Sequence, residues 1–266
     1  MRWRSARAAL WALLDRHVRD GAAVAIVGAG NGDDLPLRPL TRRAARVDLI
    51  DLDAAALRRA RRRVIASRAQ VRAVVEDVTG GAADAIVRRA RGEDAAPVAV
   101  PEAPVGEPPY DVVVADHVAT QLLYPALVDA GLDGERIDAA LLRDGQPLTD
   151  AVVRRLHAAA PDGVVIHVHD LLGWWPGHAQ PFGIDEVLAL REDPDAALAL
   201  AATGDVPYGC DPRTASLAAG AEITETTFWR WPFSPATDYL VCATVAVTST
   251  ASRRPTRASS RPRSSR

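Results

Sequence analysis

The sequence predicts an α/β domain with a mostly parallel sheet, helices on both faces and a closing antiparallel hairpin. Three observations carry this. Short apolar runs alternate with helix-like stretches from about residue 21 onward. The first five runs each end in glycine, in acid, or in a histidine–acid pair, which would place those residues together along one edge. The last two runs, 223–231 and 239–247, have only the turn Pro232-Phe233-Ser234-Pro235 between them, so they read as antiparallel.

The elements follow in order. Residues 5–19 place Ala8, Leu10, Trp11, Leu14 and Val18 at helical spacing, and Gly21 stops them. A strand at 24–27 breaks into Gly28-Ala29-Gly30-Asn31-Gly32. A second strand, 47–51, ends in Asp51 and leads to an arginine-crowded helix over 54–66. A third, 71–75, ends in Glu76-Asp77 before a helix over 82–91. Five prolines make 92–109 an extended surface loop. A fourth strand, 110–115, reaches Asp116-His117, and Gly131, Gly134, Gly145 and Pro147 mark a second insertion at 131–149. A helix over 150–160 and a fifth strand, 164–168, lead to His169-Asp170. An aromatic loop over 173–183 and a helix over 184–202 precede the hairpin. The division is therefore an N-terminal helix, 1–20, packed on a domain over 21–247, and an Arg/Ser-rich tail, 248–266, expected to be disordered.

Composition removes several function classes. The 266 residues are 48% hydrophobic, enough for one sizeable core. A net charge of -2 gives no basic field for nucleic acid, and the arginines of 54–63 read as a solvated helix face. The chain has no lysine, so neither a Schiff base nor a Tyr-x-x-x-Lys pair can form. Cys210 and Cys242 stand far apart, without metal-ligand spacing, so neither a disulfide framework nor a metal is expected, and a reducing cytoplasm fits. No apolar run approaches the ~20 residues of a membrane span.

The strand ends carry the chemistry. Glycines at 28–32 let the chain turn tightly and a ligand approach closely. Asp33 stands where the dinucleotide fingerprint needs Gly or Ala, and Asp34 follows it. Two carboxylates there would repel a pyrophosphate and suit a cationic ligand, although either would also cap the next helix. Asp51 is placed to accept ribose hydroxyls, Asp77 to accept an adenine amine, with Val78 beside it.

Loop 28–32, Asp51, Glu76-Asp77, the run 110–117 and the late hairpin resemble the ordered motifs of class I S-adenosylmethionine-dependent methyltransferases, over residues 20–247. The resemblance implies a Rossmann-like, doubly wound, seven-stranded sheet with the cofactor across the strand ends. The cofactor-binding set it implies is Gly28, Ala29, Gly30, Asn31, Gly32, Asp34, Asp51, Leu52, Asp77, Val78 and Asp116. The sequence departs from the family in having Ile26 where many members carry an acid, a charge that Asp33 or Asp34 would replace. It also lacks the Asn/Asp-Pro-Pro-Tyr/Phe pattern and the metal set of catechol-type members.

Methyl transfer to a protonated acceptor calls for a base. His117 and His169 stand at the correct edge, with Asp116 and Asp170 beside them, and a hydrogen-bonded structural imidazole is the competing reading of each. Trp174, Trp175, Trp229 and Trp231, with Gln121 and Tyr124, are the candidate acceptor residues, and a hydrophobic lid is their alternative reading. The function expected is methylation of N or O on a small molecule or short peptide, in a setting such as bacterial natural-product biosynthesis. A nicotinamide-dependent oxidoreductase and a non-catalytic binding protein of this fold are the alternatives. Monomer and homodimer both stay open.

Overall fold

The computed structural model describes residues 3–64, 67, 69–207 and 209–248. The tail expected to be disordered therefore lies, from residue 249 onward, outside the described residues. The elements are α1 (Arg4–His17), β1 (Ala23–Val27), α2 (Leu37–Arg43), β2 (Arg46–Asp51), α3 (Ala54–Arg62), β3 (Gln70–Val75), α4 (Ala82–Ala90) and β4 (Val112–Asp116). Then come α5 (Val118–Gln121), α6 (Tyr124–Asp129), α7 (Gly134–Ala140), α8 (Gln146–Ala159), β5 (Val164–Trp174), α9 (Ile184–Ala189), α10 (Pro194–Ala201), α11 (Pro212–Ala218), β6 (Ala221–Ser234) and β7 (Thr237–Thr248).

The strands form one seven-stranded sheet in the order β3-β2-β1-β4-β5-β7-β6. The first five are parallel, and β7 runs antiparallel to both β5 and β6. Alternation along β1 shows why both faces are covered. Val24 and Ile26 enter a cluster with Leu10 and Leu14 of α1, Leu40 of α2 and Leu57 of α3. Ala25 and Val27 face the other way, onto Val152 and Leu156 of α8. The chain reverses at β1, so the crevice opens between the carboxyl ends of β1 and β4.

Four segments differ from the sequence expectation. Residues 131–149 are helical: Asp133 caps α7 by accepting from Arg136 N–H, a π-turn spans Leu141–Gly145, and α8 starts at Gln146. Gly145 is there for packing, since a Cβ on it would lie 2.8 Å from the Gly209 carbonyl oxygen. β5 runs on to Trp174 through a bulge between Asp170 and Leu172, because β7 pairs with it as far as Asp238. The long helix over 184–202 splits into α9 and α10, Asp193-Pro194 starting the second. Helix α11, capped by Asp211, was not expected. Among the described residues, no helix is long and apolar enough to cross a membrane.

Candidate active site

Gly28 holds the floor of the site. Its φ is +77°, and a Cβ there would lie 2.5 Å from the carbonyl oxygen of Asp116, so the ends of β1 and β4 touch. Gly28 N–H and Ala29 N–H both donate to the Ile50 carbonyl, tying the loop to β2. Asp51 completes the tie: Oδ2 accepts from Gly30 N–H at 2.8 Å and Oδ1 from Asp53 N–H at 2.9 Å. A carboxylate has about four acceptor positions, so Asp51 keeps capacity for two further donors.

Above this floor lies a cavity of about 360 Å³. Gly28, Asp51, Leu52, Val78 and Gln121 line it. Its charged lining is entirely acidic: Asp51, Glu76, Asp77, Asp84, Asp116 and Asp129. Such a field opposes a pyrophosphate and attracts a cation. Among the described residues, no group of three His, Cys, Asp or Glu side chains could hold a metal ion.

Sequence reasoning missed the strut behind this wall. Arg155 of α8 is 5% exposed and donates to Glu76 Oε1 at 2.7 Å, to the Val78 carbonyl and to the Ala103 carbonyl. Glu76 also accepts from Gly106 N–H, so the proline-rich loop is anchored to the end of β3. The signal was present: Arg155 occupies a core-facing helical position between Val152 and Ala159. Asp77 is largely spent on the same turn, accepting from Thr79 N–H, Thr79 Oγ1–H and Gly81 N–H.

His117 stands beside the cavity, between its lining residues Asp116 and Val118 in the chain. It is the one non-glycine residue with positive φ (54°) among the described residues, at the N-terminus of α5. Its N–H donates to the Val168 carbonyl, and its ring lies 4.6 Å from the Trp231 ring. His117 Nδ1 is 3.1 Å from Asp170 Oδ1, an ion-pair contact out of line for a hydrogen bond. Burial opposes charge on this imidazole, but Asp170, Asp116 and Asp34 outweigh it and raise its pKa to about 9. Asp116 is pushed up to about 8, first by burial and then by Asp34. Asp34 is raised as well, mainly by burial, with His117 opposing.

Asp33 and Asp34 part company: Asp33 pairs with Arg63, while Asp34 faces His117 and Asp116. Neither caps α2, which starts after Pro36 without a side-chain cap. Gly32 does not face the cavity; a Cβ on it would meet Leu37 and Ala60 at 2.7 and 3.3 Å. Ala29 lies in the core, and Asn31 Oδ1 accepts from Asp33 N–H within the loop. His169 does not join His117. It pairs in register with Cys242 on one face of the sheet, whereas Asp170 pairs with Val241 on the other. Of the aromatic residues, Trp231 meets His117, Tyr124 is exposed, and Trp175 stacks on His178 at 3.9 Å with Tyr239 6.4 Å away. Trp229 is buried in the core below them, and Trp174 packs on Phe182 elsewhere. Trp3 and Tyr239, which both pack on Trp231, were missed, although the hairpin turn already sets Tyr239 opposite Trp231.

The face behind the site holds neutral histidines. His157 Nε2 and His167 Nε2 lie 3.2 and 3.0 Å from Ser216 Oγ. Burial lowers His157 and His169 to about 4, and His167 falls well below its ordinary value, with its histidine neighbours adding to the burial. Between about 6.5 and 4, the unfolded chain binds protons that the fold refuses. Stability is therefore expected to fall as pH drops through that window, by ~1.4 kcal/mol per pH unit for each histidine. Asp116, protonated in the fold up to about 8, and Asp34, also raised, work in the opposite sense and offset part of this. Urea midpoints across the window test this; midpoints flat or rising toward acid would contradict it.

No family model matches the chain, and no curated protein matches it. Solved structures do. A SAM-dependent methyltransferase from Methanosarcina mazei aligns over 89% of this chain and 96% of its own, at 9% identity and TM-score 0.50. The fold is that of the S-adenosylmethionine-dependent methyltransferases. A magnesium protoporphyrin IX methyltransferase from Synechocystis, with S-adenosylhomocysteine bound, aligns over 93% and 83% at 15% identity and TM-score 0.48. A SAM-dependent methyltransferase from Leishmania major aligns over 91% and 70% at 14% identity and TM-score 0.45. In open α/β sheets ligands bind beyond the carboxyl ends of the strands, and the acidic cavity of this chain lies at that edge.

Proposed function

We propose that this protein is an S-adenosylmethionine-dependent methyltransferase acting on nitrogen or oxygen of a small molecule or short peptide. The all-acidic cavity at the strand ends, floored by Gly28, carries the reading. Bound there, the cofactor supplies an electrophilic methyl group on a sulfonium, alongside an ammonium; both charges suit the carboxylates. Asp51 takes the ribose hydroxyls with its spare acceptor positions. Leu52 and Val78 flank the adenine, and Asp34 and Asp116 face the ammonium. His117 is the base, Asp170 orients it, and Trp231 shields the pair from water. The acidic lining weighs against the nicotinamide alternative, because a dinucleotide brings a pyrophosphate.

Calorimetric titration with S-adenosylmethionine, S-adenosylhomocysteine and NAD tests the proposal. Binding of the first two without NAD is the expected result; NAD alone would overturn it. In the same titration, Asp51→Ala is expected to weaken S-adenosylhomocysteine more than tenfold. It removes charge-assisted hydrogen bonds worth ~1.5–3 kcal/mol and frees Gly30 N–H. Unchanged affinity in a folded variant would defeat the ribose assignment.

A further inference from the structure

We propose that the acceptor subsite takes a protonated amine carried on an aromatic or similarly apolar body, which makes nitrogen the methylated atom. This rests on the methyltransferase reading above and narrows it. The first observation is an aromatic wall around Trp231. The rings of Trp3, Phe233 and Tyr239 lie 5.8, 5.2 and 6.0 Å from it, and Trp175 continues the wall 6.4 Å beyond Tyr239. Trp175 and Phe233 are 42% and 43% exposed, so the wall opens to solvent. Gly173 keeps Trp175 folded down, since a Cβ on it would lie 2.4 Å from that ring.

The second observation is polar and independent of the first. Asp170 Oδ1 and Trp231 Nε1 are buried without a hydrogen-bond partner among the described residues, Asp170 Oδ1 having the ion-pair contact with His117 Nδ1 at 3.1 Å. Trp231 is 6% exposed and touches His117. The Tyr239 hydroxyl is held above its ordinary pKa by burial first, then by Asp170 and Tyr124, so the Asp170 carboxylate borders the aromatic wall. Asp34, Asp116 and Asp170 surround the single imidazole beside them, and Asp170 is the carboxylate nearest to it. Ring faces and a carboxylate with spare acceptor capacity are what an ammonium requires. A neutral alcohol gains far less from the ring quadrupoles and brings no charge to the carboxylate.

In the reaction, one ammonium proton passes to neutral His117, freeing the nitrogen lone pair. That pair forms the N–C bond to the methyl carbon as the C–S bond breaks. The C–S electrons return to sulfur, the sulfonium donor becomes a thioether, and the product leaves as an N-methylammonium ion.

The test compares binding of phenethylamine and phenethyl alcohol to the full chain, by calorimetry at neutral pH, with and without S-adenosylhomocysteine. The amine is expected to bind about tenfold tighter or better. Asp170→Asn, with its fold checked by circular dichroism, is expected to erase the preference. Equal or tighter binding of the alcohol by the wild-type chain, or binding of neither probe, overturns the amine subsite even where S-adenosylhomocysteine binds. Amine preference without any S-adenosylhomocysteine binding overturns the methyltransferase reading and leaves the subsite standing.

Discussion

Gly28→Ala is expected to abolish S-adenosylhomocysteine binding and to destabilise the fold. Two effects add. A φ of +77° strains any residue with a Cβ, at about 1–3 kcal/mol. The new methyl group would also lie 2.5 Å from the Asp116 carbonyl and 2.9 Å from Val118 Cγ2. The first neighbour is backbone, so the contact is relieved only by parting the ends of β1 and β4, where the cavity floor lies. Gly21→Ala is the control. Its φ is +79°, yet nothing stands within 4 Å of its Cβ. It should show only the strain part of the stability loss in urea, smaller than that of Gly28→Ala, and keep full affinity. Equal affinities for the two variants would show that the glycine loop is not the cradle.

The strand-end residues were legible because a parallel sheet puts every carboxyl end on one edge, whatever its loops do. Gly28, Asp51, Asp116 and His117 follow from that rule alone. Asp34 was legible as half of an ambiguous pair; only the fold shows that Arg63 draws Asp33 away and leaves Asp34 inward. His169 misled because β5 was expected to stop before it. The strand continues, and side-chain alternation then sends His169 and Asp170 to opposite faces. Arg155 was overlooked as one more arginine in an arginine-rich chain, although its core-facing position set it apart. The partners that explain it, Glu76 and the carbonyls of Val78 and Ala103, lie 52 to 79 residues away, beyond any local pattern.

His117→Asn is expected to lower turnover by about 10²–10⁴-fold while S-adenosylhomocysteine binding stays within a few-fold of wild type. Asparagine is chosen because it tolerates the left-handed conformation that His117 adopts, so the start of α5 should survive. The pH profile makes the assignment sharper. In the ligand-free site, carboxylates hold the imidazole protonated up to about 9, and a base must be neutral. The value of kcat/KM, which reports the free enzyme, should therefore rise with pH toward that value. Two positive charges brought in by the cofactor oppose the imidazolium, so the rising limb of kcat should lie at lower pH than that of kcat/KM. An amine acceptor also titrates in alkaline solution, and Asp170→Asn separates the two sources. Removing that carboxylate lowers the pKa of His117 and leaves the solution pKa of the acceptor unchanged. A limb that moves to lower pH in Asp170→Asn and vanishes in His117→Asn identifies the imidazole as the base. A limb unmoved in both belongs to the acceptor, and His117 then serves only to line the pocket.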